Sequence, residues 1–247
     1  MVKRSLDVAL SFLGLLASSP LLVPVILAVW LQDFHSPFFI ARRVGLRGQP
    51  FRMVKLRSMV IDAEKSGVDS TSSDDSRITA VGRFIRAYKL DEISQLWNVL
   101  KGDMSLVGPR PQVQRDVDVY TDVEKGLLAA KPGITDISSI VFADEGDILS
   151  GYADPDLAYH QLIRPWKSRF GLLYIERQSL ALDLALVCLT VLSILSRPRG
   201  LKALQRLMKK LDVEEGWLSV VSREQPLSPC PPPGAEQVVM DRSTVAL

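Results

Sequence analysis

Two adjacent carboxylates, Asp91 and Glu92, are the residues of this sequence best suited to carry chemistry. Arg86 lies five residues before Asp91, and Arg110 follows in a rigid Gly-Pro-Arg-Pro turn. Arginine binds phosphate oxygens through two parallel hydrogen bonds, and a helix N-terminus offers amide groups to the same anion. Of two neighbouring carboxylates, one suits the role of nucleophile and the other that of ligand to a hard, oxygen-seeking ion such as magnesium. Together these residues predict a phosphate site.

The same two carboxylates also have a purely structural explanation. Aspartate caps the free amide groups at a helix start, and both acids favour the positive end of the helix dipole. Apolar residues at helical spacing follow, with a glycine just past the expected end: Ile93, Leu96, Trp97, Leu100 and Gly102. The residues alone leave the capping explanation open, although the neighbouring arginines favour the phosphate site.

Histidine and cysteine are scarce, which excludes several kinds of catalytic site. The 247 residues include only His35 and His160, and the two cysteines, Cys188 and Cys230, lie far apart without Cys-x-x-Cys spacing. A zinc site, a disulfide framework and a Ser-His-Asp triad are therefore not expected, and we interpret these four residues as structural. The net charge of +2 gives no reason to expect nucleic-acid binding, which normally shows as a strong basic excess.

The apolar residues are concentrated near the N-terminus. The mean hydropathy is +0.14 although 23% of the residues are charged. The segment from Val8 to Leu31 contains 24 residues and no charge, which is about 36 Å of helix against a bilayer core of about 30 Å. Pro20 and Pro24 lie inside it, and the preceding serine hydroxyls could satisfy part of the carbonyls that the prolines leave free. The segment is therefore long enough to span a membrane but contains a place for a bend.

Basic residues flank both ends of this apolar segment. Two precede it and six follow: Lys3, Arg4, Arg42, Arg43, Arg47, Arg52, Lys55 and Arg57. Because positive residues favour the cytoplasmic side, the sequence predicts a re-entrant helical hairpin with its break at Ser19 and Pro20 and both ends in the cytoplasm. An ordinary single span and a cleaved signal peptide remain open as alternatives.

The rest of the chain predicts an α+β fold, mainly α, with a compact cytoplasmic catalytic domain and interfacial amphipathic helices. Short strands are expected within 34–60, a polar loop over 66–77 and a helix over 78–88. A further helix is expected from Asp156 to Ile163, ended by Pro165, and an apolar helix over 184–195. A basic amphipathic helix over 200–211 suits either an anionic membrane surface or packing against the domain.

We divide the chain into a membrane anchor, 1–33, a catalytic domain, 34–197, and an amphipathic helix with a disordered proline-rich tail, 198–247.

Seven short segments follow one another between residues 3 and 135. They are Lys3-Arg4-Ser5-Leu6-Asp7, the Ser19-Pro20 pair, Arg43-Val44-Gly45-Leu46-Arg47-Gly48-Gln49-Pro50-Phe51, Lys55-Leu56-Arg57-Ser58-Met59, Leu90-Asp91-Glu92-Ile93-Ser94-Gln95-Leu96-Trp97-Asn98-Val99-Leu100-Lys101-Gly102-Asp103-Met104-Ser105, Gly108-Pro109-Arg110-Pro111 and Lys131-Pro132-Gly133-Ile134-Thr135. Each alone is a weak signal, but in unbroken order they closely resemble the bacterial sugar transferase family, the monotopic phosphoglycosyl transferases. The resemblance covers roughly residues 3–196.

This resemblance implies a membrane enzyme that transfers a sugar 1-phosphate from a UDP-sugar to polyprenyl (undecaprenyl) phosphate. The reaction would start surface glycan synthesis on the cytoplasmic face of the bacterial inner membrane. The resemblance implies that Asp91 attacks the β-phosphorus, which gives a phosphosugar-aspartyl intermediate and releases UMP, and that Glu92 binds Mg²⁺. Four basic residues are expected to contact substrate phosphates: Lys55, Arg57, Arg86 and Arg110.

The sequence departs from the family pattern after the Lys-Pro-Gly-Ile-Thr segment. Residues 136–145 replace the commoner Gly-Trp-x-Gln-Val continuation, which leaves the identity of the sugar open. The alternative function is a catalytically silent membrane scaffold for glycan assembly, although a scaffold needs neither the carboxylate pair nor the arginines. An ordinary glycosyltransferase would release UDP rather than UMP.

Overall fold

The computed structural model describes residues 2–63 and 75–241 of the chain. The described part is a mainly helical α+β fold with two small sheets, which confirms the predicted class. Residues 66–74, most of the predicted polar loop, lie outside the described residues.

Helices account for most of the regular structure in the described residues. They are α1 (Val2–Leu31), α2 (Ala80–Ala87), α3 (Leu90–Ile93), α4 (Leu96–Lys101), α5 (Gln114–Asp118), α6 (Ile137–Val141), α7 (Glu145–Leu149), α8 (Pro155–Ala158), α9 (Arg164–Glu176), α10 (Leu180–Leu195), α11 (Arg197–Lys210) and α12 (Glu215–Ser222). The strands are β1 (Phe38–Val44), β2 (Pro50–Leu56), β3 (Ser105–Val107) and β4 (Gly133–Thr135). Strands β1 and β2 form an antiparallel hairpin, and β3 and β4 pair in parallel.

Helix α1 continues through the predicted break. Pro20 and Pro24 both lie inside it, and the Ser19 hydroxyl donates to the Leu16 carbonyl at 2.7 Å. In a regular helix that carbonyl would accept from the amide of residue 20, which proline lacks. The serine therefore satisfies the freed carbonyl, and the predicted division into two helices at Ser19 and Pro20 is not observed. By length and composition, α1 could cross a membrane.

The domain holds both ends of α1. Near the N-terminal end, Lys3 pairs with Asp183 of α10 at 2.6 Å. The buried Asp7 accepts hydrogen bonds from a hydroxyl and an amide of β3, at 2.8 and 3.1 Å. Just beyond the C-terminal end, Asp33 accepts two hydrogen bonds from Arg57, at 2.5 and 2.7 Å. The two ends of the apolar helix therefore contact the same body.

Helix α11 packs against the domain. Its Leu204 and Met208 are fully buried in the main core with Ile137, Phe170 and Tyr174. Its exposed side carries the basic residues Lys202, Arg206, Lys209 and Lys210. Because the apolar face is already covered by protein, it is not available to lipid. The interpretation of 200–211 as an interfacial helix is therefore wrong, and its alternative, packing against the domain, is confirmed.

The helix that we expected to end at Pro165 instead gives way to a new one. Helix α8 is followed by a π-helical turn over Tyr159–Ile163, and α9 then begins at Arg164 with Pro165 in its first turn. Proline is tolerated there because the first amides of a helix have no partner within the helix. The proline therefore starts a helix rather than ending one.

The proline-rich segment contacts the domain, which differs from the expected disorder. The amide of Cys230 donates to the Gln161 carbonyl at 3.1 Å, and the Gln161 side chain donates to the Val239 carbonyl at 2.7 Å. Arg169 donates to the Pro231 carbonyl at 2.8 Å. Backbone groups of the segment are thus satisfied by the π-helical turn and by α9. The boundaries 1–33, 34–197 and 198–247 stay a prediction.

We expect Glu124→Gln to destabilise the protein by about 3 kcal/mol, because it leaves the charge of Arg164 buried without its partner. Glu124 is fully buried and accepts from Arg164 at 2.6 Å and from the Ser168 hydroxyl at 2.7 Å. The measurement is thermal and denaturant unfolding in detergent. The control is Asp122→Asn in a surface ion pair with Lys125, where little change is expected. Equal stability of the two variants would contradict the role of the buried pair.

Candidate active site

Asp91 and Glu92 lie in the first turn of α3, which follows α2 after a sharp turn. Lys89 makes this turn with a positive φ of 52°. The helix has no side-chain cap, because its N-cap position is Lys89 and no side chain bonds the free amides there. Capping by the carboxylates is therefore not observed. Both acids do lie in the first turn, at the positive end of the helix dipole, as the structural explanation expected. Leu90 lies within this turn and is buried in a cluster with Val25 and Val29 of α1.

Side chains of α4 and of the turn before it hold β2 beside the carboxylates. The buried Asn98 accepts from the Val54 amide at 2.9 Å and donates to the Arg52 carbonyl at 2.6 Å. The Ser94 hydroxyl lies 3.2 Å from the Val54 carbonyl and 2.8 Å from the Asp91 carbonyl. The next residue of β2 is Lys55, whose Nζ lies 3.9 Å from Asp91 Oδ2.

Two glycines position Arg110. Gly108 and Gly133 lie backbone against backbone where β3 and β4 pair, and a Cβ on Gly133 would lie 2.1 Å from the Gly108 amide nitrogen. No residue larger than glycine fits such an approach. The chain then turns through Pro109, whose carbonyl accepts from the Gly133 amide at 3.0 Å. Arg110 Nη2 emerges from this turn and donates to Glu92 Oε1 at 2.7 Å.

The other two predicted arginines differ in their surroundings. Arg86 lies close enough to Asp91 to interact with its charge, and its Nε donates to the Ser58 hydroxyl at 3.0 Å. Arg57 instead donates to Asp33 and to the Ser36 carbonyl, and it lies outside the group around the carboxylates. Of the predicted phosphate-binding residues, Lys55, Arg86 and Arg110 are thus brought together, whereas Arg57 fastens the end of α1.

The pKa values of the two carboxylates are shifted in opposite directions by their surroundings. The Arg110 guanidinium and the cations Lys89 and Lys55 outweigh burial and lower the pKa of Glu92 to about 2. Burial, the largest effect, raises the pKa of Asp91, although Lys55 and the arginines oppose it. Burial also lowers the pKa of Lys55 to about 8, with Asp91 opposing. Glu92 is therefore a fixed anion, and Asp91 depends on nearby cations to stay ionised.

Glu92, the predicted magnesium ligand, fits an ion that is bound mainly by substrate and water. In the described ranges, 2–63 and 75–241, no group of three or more His, Cys, Asp or Glu side chains could form a complete metal cage. Magnesium usually keeps several waters and binds through one or two carboxylates together with substrate phosphates. Glu92, which is ionised well below neutral pH, supplies that kind of donor.

Three positioning residues were missed by the sequence reasoning. Ser58 orients Arg86, while Ser94 and Asn98 hold β2 against α3 and α4. For Asn98 a signal was present, since it is a lone amide inside the apolar run Leu-Trp-Asn-Val-Leu. A buried polar side chain in such a place needs hydrogen-bond partners. The two serines carry no comparable signal.

Comparison with known proteins gives matches over most of the chain. The bacterial sugar transferase family matches residues 1–197. The exopolysaccharide production protein ExoY of Sinorhizobium fredii is 33% identical over 204 residues, covering 76% of this chain and 83% of that protein. The undecaprenyl-phosphate galactose phosphotransferase of Salmonella typhimurium is 34% identical over 211 residues, covering 79% of this chain and 41% of that protein. A UDP-glucose:undecaprenyl-phosphate glucose-1-phosphate transferase of Klebsiella pneumoniae is 33% identical over 192 residues, covering 76% of this chain and 39% of that protein.

We expect Lys55 to lose its proton near pH 8, well below the ordinary lysine value of 10.5, because burial disfavours its charge. In Asp91→Asn the pKa of Lys55 should fall further, since the substitution removes the anion that stabilises the ammonium. Competitive acetylation of the lysines across pH 6–10, read by mass spectrometry, measures this titration. A Lys55 that titrates near 10.5 in both proteins would contradict the geometry.

Proposed function

Because the chain belongs to the bacterial sugar transferase family, we propose that it transfers a sugar 1-phosphate from a UDP-sugar to polyprenyl phosphate, with release of UMP. The observation that carries the proposal is the Asp91-Glu92 pair enclosed by Lys55, Arg86 and Arg110. These cations, together with Lys89 near Glu92, surround the two carboxylates with positive charge, which suits an anionic substrate. The names of the relatives, which include undecaprenyl-phosphate sugar transferases, agree with this chemistry.

In the first step, an Oδ of Asp91 attacks the β-phosphorus of the UDP-sugar. A bond forms between this oxygen and phosphorus, and the bond from that phosphorus to the bridging oxygen breaks. UMP leaves with the bridging oxygen, and the sugar phosphate stays on Asp91 as an acyl phosphate. Lys55, 3.9 Å from Asp91 Oδ2, holds the carboxylate ionised and lies near enough to neutralise charge on the phosphoryl oxygens.

In the second step, a phosphate oxygen of the polyprenyl phosphate attacks the phosphorus of the intermediate. The bond between phosphorus and the Asp91 oxygen breaks, which regenerates the carboxylate and gives the polyprenyl diphosphate sugar. Magnesium, held by Glu92 and the substrate phosphates, would supply charge neutralisation in a reaction that needs mainly positioning and electrostatic stabilisation. Arg110 fixes the Glu92 carboxylate for this role through the 2.7 Å hydrogen bond.

We also propose that α1 is re-entrant, with a bend at Ser19 and Pro20 and both ends on the cytoplasmic face. Proline bends a helix, and two prolines lie near the middle of this one. A helix passing straight through a bilayer would place its ends on opposite faces, whereas both ends of α1 contact one domain. The basic residues at both ends favour the cytoplasmic side.

An exposed apolar surface supports the proposal that the protein is embedded in one leaflet of the membrane. Side chains along α1 are exposed, including Phe12 at 60%, Leu16 at 62% and Val23 at 62%. Helix α10, joined to α1 by the Lys3–Asp183 pair, also exposes apolar residues. These are Leu184, Val191, Ile194 and Leu195. Contiguous apolar exposure of this kind is typical of a membrane contact, and it would place the carboxylates near the lipid phosphates. There the reaction would initiate synthesis of a surface glycan, such as an exopolysaccharide.

The test is UMP formation by the protein in nanodiscs with undecaprenyl phosphate, Mg²⁺ and a panel of UDP-sugars. We expect UMP with at least one sugar, and loss of more than about a thousandfold of the rate in Asp91→Asn, because an amide is not a nucleophile here. Asp122→Asn, an exposed surface change, should keep the wild-type rate.

The product separates the alternatives. UDP instead of UMP would indicate an ordinary glycosyltransferase. No nucleotide product from folded protein with any sugar of the panel would favour the silent scaffold. An active Asp91→Asn variant would overturn the assignment of the nucleophile.

A further inference from the structure

A second polar region shares Arg110 with the carboxylate pair. Here a cleft is lined by Arg110, Gln112, Asp116, Tyr159 and Lys167 among others. Arg110 thus has two neighbours, since it donates to Glu92 at 2.7 Å and also forms part of the cleft wall. A group bound in this cleft would lie next to Arg110, and therefore next to a phosphate that Arg110 contacts in the proposed reaction. The transfer chemistry itself uses none of the other four residues.

The lining suits a neutral, hydroxyl-bearing group better than another phosphate. Asp116 offers carboxylate oxygens, and Gln112 offers both an amide donor and a carbonyl acceptor. The Tyr159 hydroxyl lies 3.4 Å from Gln112 Oε1, and burial raises the pKa of this phenol well above 10. The tyrosine therefore stays a neutral donor. The cations of the lining are already paired with carboxylates: Arg110 with Glu92, Arg164 with Glu124 and Lys167 with Glu145. Their charges are therefore compensated, and Asp116 and Asp136 add two further carboxylates to the lining. Hydroxyl groups, which both donate and accept, match these residues.

The wall of the cleft contains features that folding alone does not require. Tyr159 begins the π-helical turn, and such turns are frequent at functional sites. Arg164 also lines the cleft and is only 4% exposed, yet its Nε has no hydrogen-bond partner among the described residues. A buried donor without a partner costs free energy and calls for an explanation. A polar group bound in the cleft would supply one.

The substrate itself restricts what can occupy this position. The β-phosphate of a UDP-sugar has a sugar ring on one side and, through the α-phosphate, a ribose on the other. Both carry vicinal hydroxyls. A group placed beside the phosphate that Arg110 holds must therefore be one of these two rings.

We propose that this cleft, which we call the hydroxyl cleft and define by Gln112, Asp116 and Tyr159, binds vicinal hydroxyls of the sugar nucleotide and determines donor specificity. The inference rests on the proposed function and adds residues that the transfer step does not use. Gln112 and Asp116 are the specificity-determining residues, since their oxygens and amide can distinguish an axial from an equatorial hydroxyl.

The experiment compares two ratios of kcat/KM for UMP or dUMP formation. The sugar arm compares the best UDP-sugar of the panel with its 4-epimer. The ribose arm compares the same sugar on UDP and on 2′-deoxy-UDP. The variants are Asp116→Asn and Gln112→Leu, with Asp118→Asn on the same helix α5 as the matched control, because Asp118 is exposed and does not line the cleft. Thermal unfolding checks that each variant is folded.

We expect one of the two ratios to fall by about tenfold or more in both cleft variants, since a site built to bond a hydroxyl discriminates strongly. The arm that changes identifies the ring. Asp118→Asn should leave both ratios unchanged. If the residues had a merely structural role, the variants would lower all rates together and leave both kcat/KM ratios at their wild-type values, which would overturn the proposal. Ratios of kcat/KM near one in both arms for the wild-type protein would also overturn it, because the protein would then not discriminate between the substrates. Wild-type protein that makes no UMP from any sugar overturns the proposed function as well.

Discussion

The structure depends on the packing of α3 against α1. Leu90 is 2% exposed and shares a buried cluster with Leu22, Val25 and Val29 of the apolar helix, and Asp91 is the next residue in the chain. The position of the two carboxylates is thus tied directly to the apolar helix α1, which is long and apolar enough to cross a membrane. Lys3 and Asp7 fix one end of α1 to the domain, and the Arg57–Asp33 pair fixes the other. These charged contacts connect both ends of the apolar helix to the domain that carries the site.

The site balances burial against charge. Removal from water raises the pKa of Asp91, so the same burial that makes a carboxylate reactive also tends to protonate it. Lys55 and the two arginines oppose this effect, and cations in such a place suit phosphate. Glu92 stays ionised although it is buried, because Arg110 donates a hydrogen bond to it and, with the neighbouring lysines, lowers its pKa to about 2. The two neighbouring acids therefore differ in their surroundings, which supports different roles for them.

Local sequence patterns predicted much of the site, because its residues act through chemistry that is visible in their types. Asp91, Glu92, Lys55, Arg86 and Arg110 do lie together. The β1–β2 hairpin and the apolar helix α10 were also predictable, since alternation and apolar runs are local signals.

Features that depend on tertiary contacts could not be predicted in the same way. Trp97 shares the helical spacing of the apolar residues around it, yet it is 57% exposed, and the polar Asn98 is buried instead. Arg57 belongs to a basic segment, but its position opposite Asp33 is decided only when the chain folds back on itself. The amphipathic pattern of α11 is the same for a helix on lipid and a helix on protein, and only the core shows which surface covers it. Pro165 lies in the first turn of α9, and a proline alone does not distinguish the end of one helix from the start of the next.

The central claim is that one domain holds both ends of α1 on the same face of the membrane. It is tested by single cysteines at Val2 and Gln49, placed in a Cys188→Ser, Cys230→Ser background and probed with a membrane-impermeant maleimide. Both positions are exposed, and they lie beyond or near the two ends of the apolar segment. We predict that neither cysteine reacts in intact cells made permeable only at the outer membrane, and that both react once the inner membrane is opened. Labelling of either cysteine from the periplasm would contradict this arrangement.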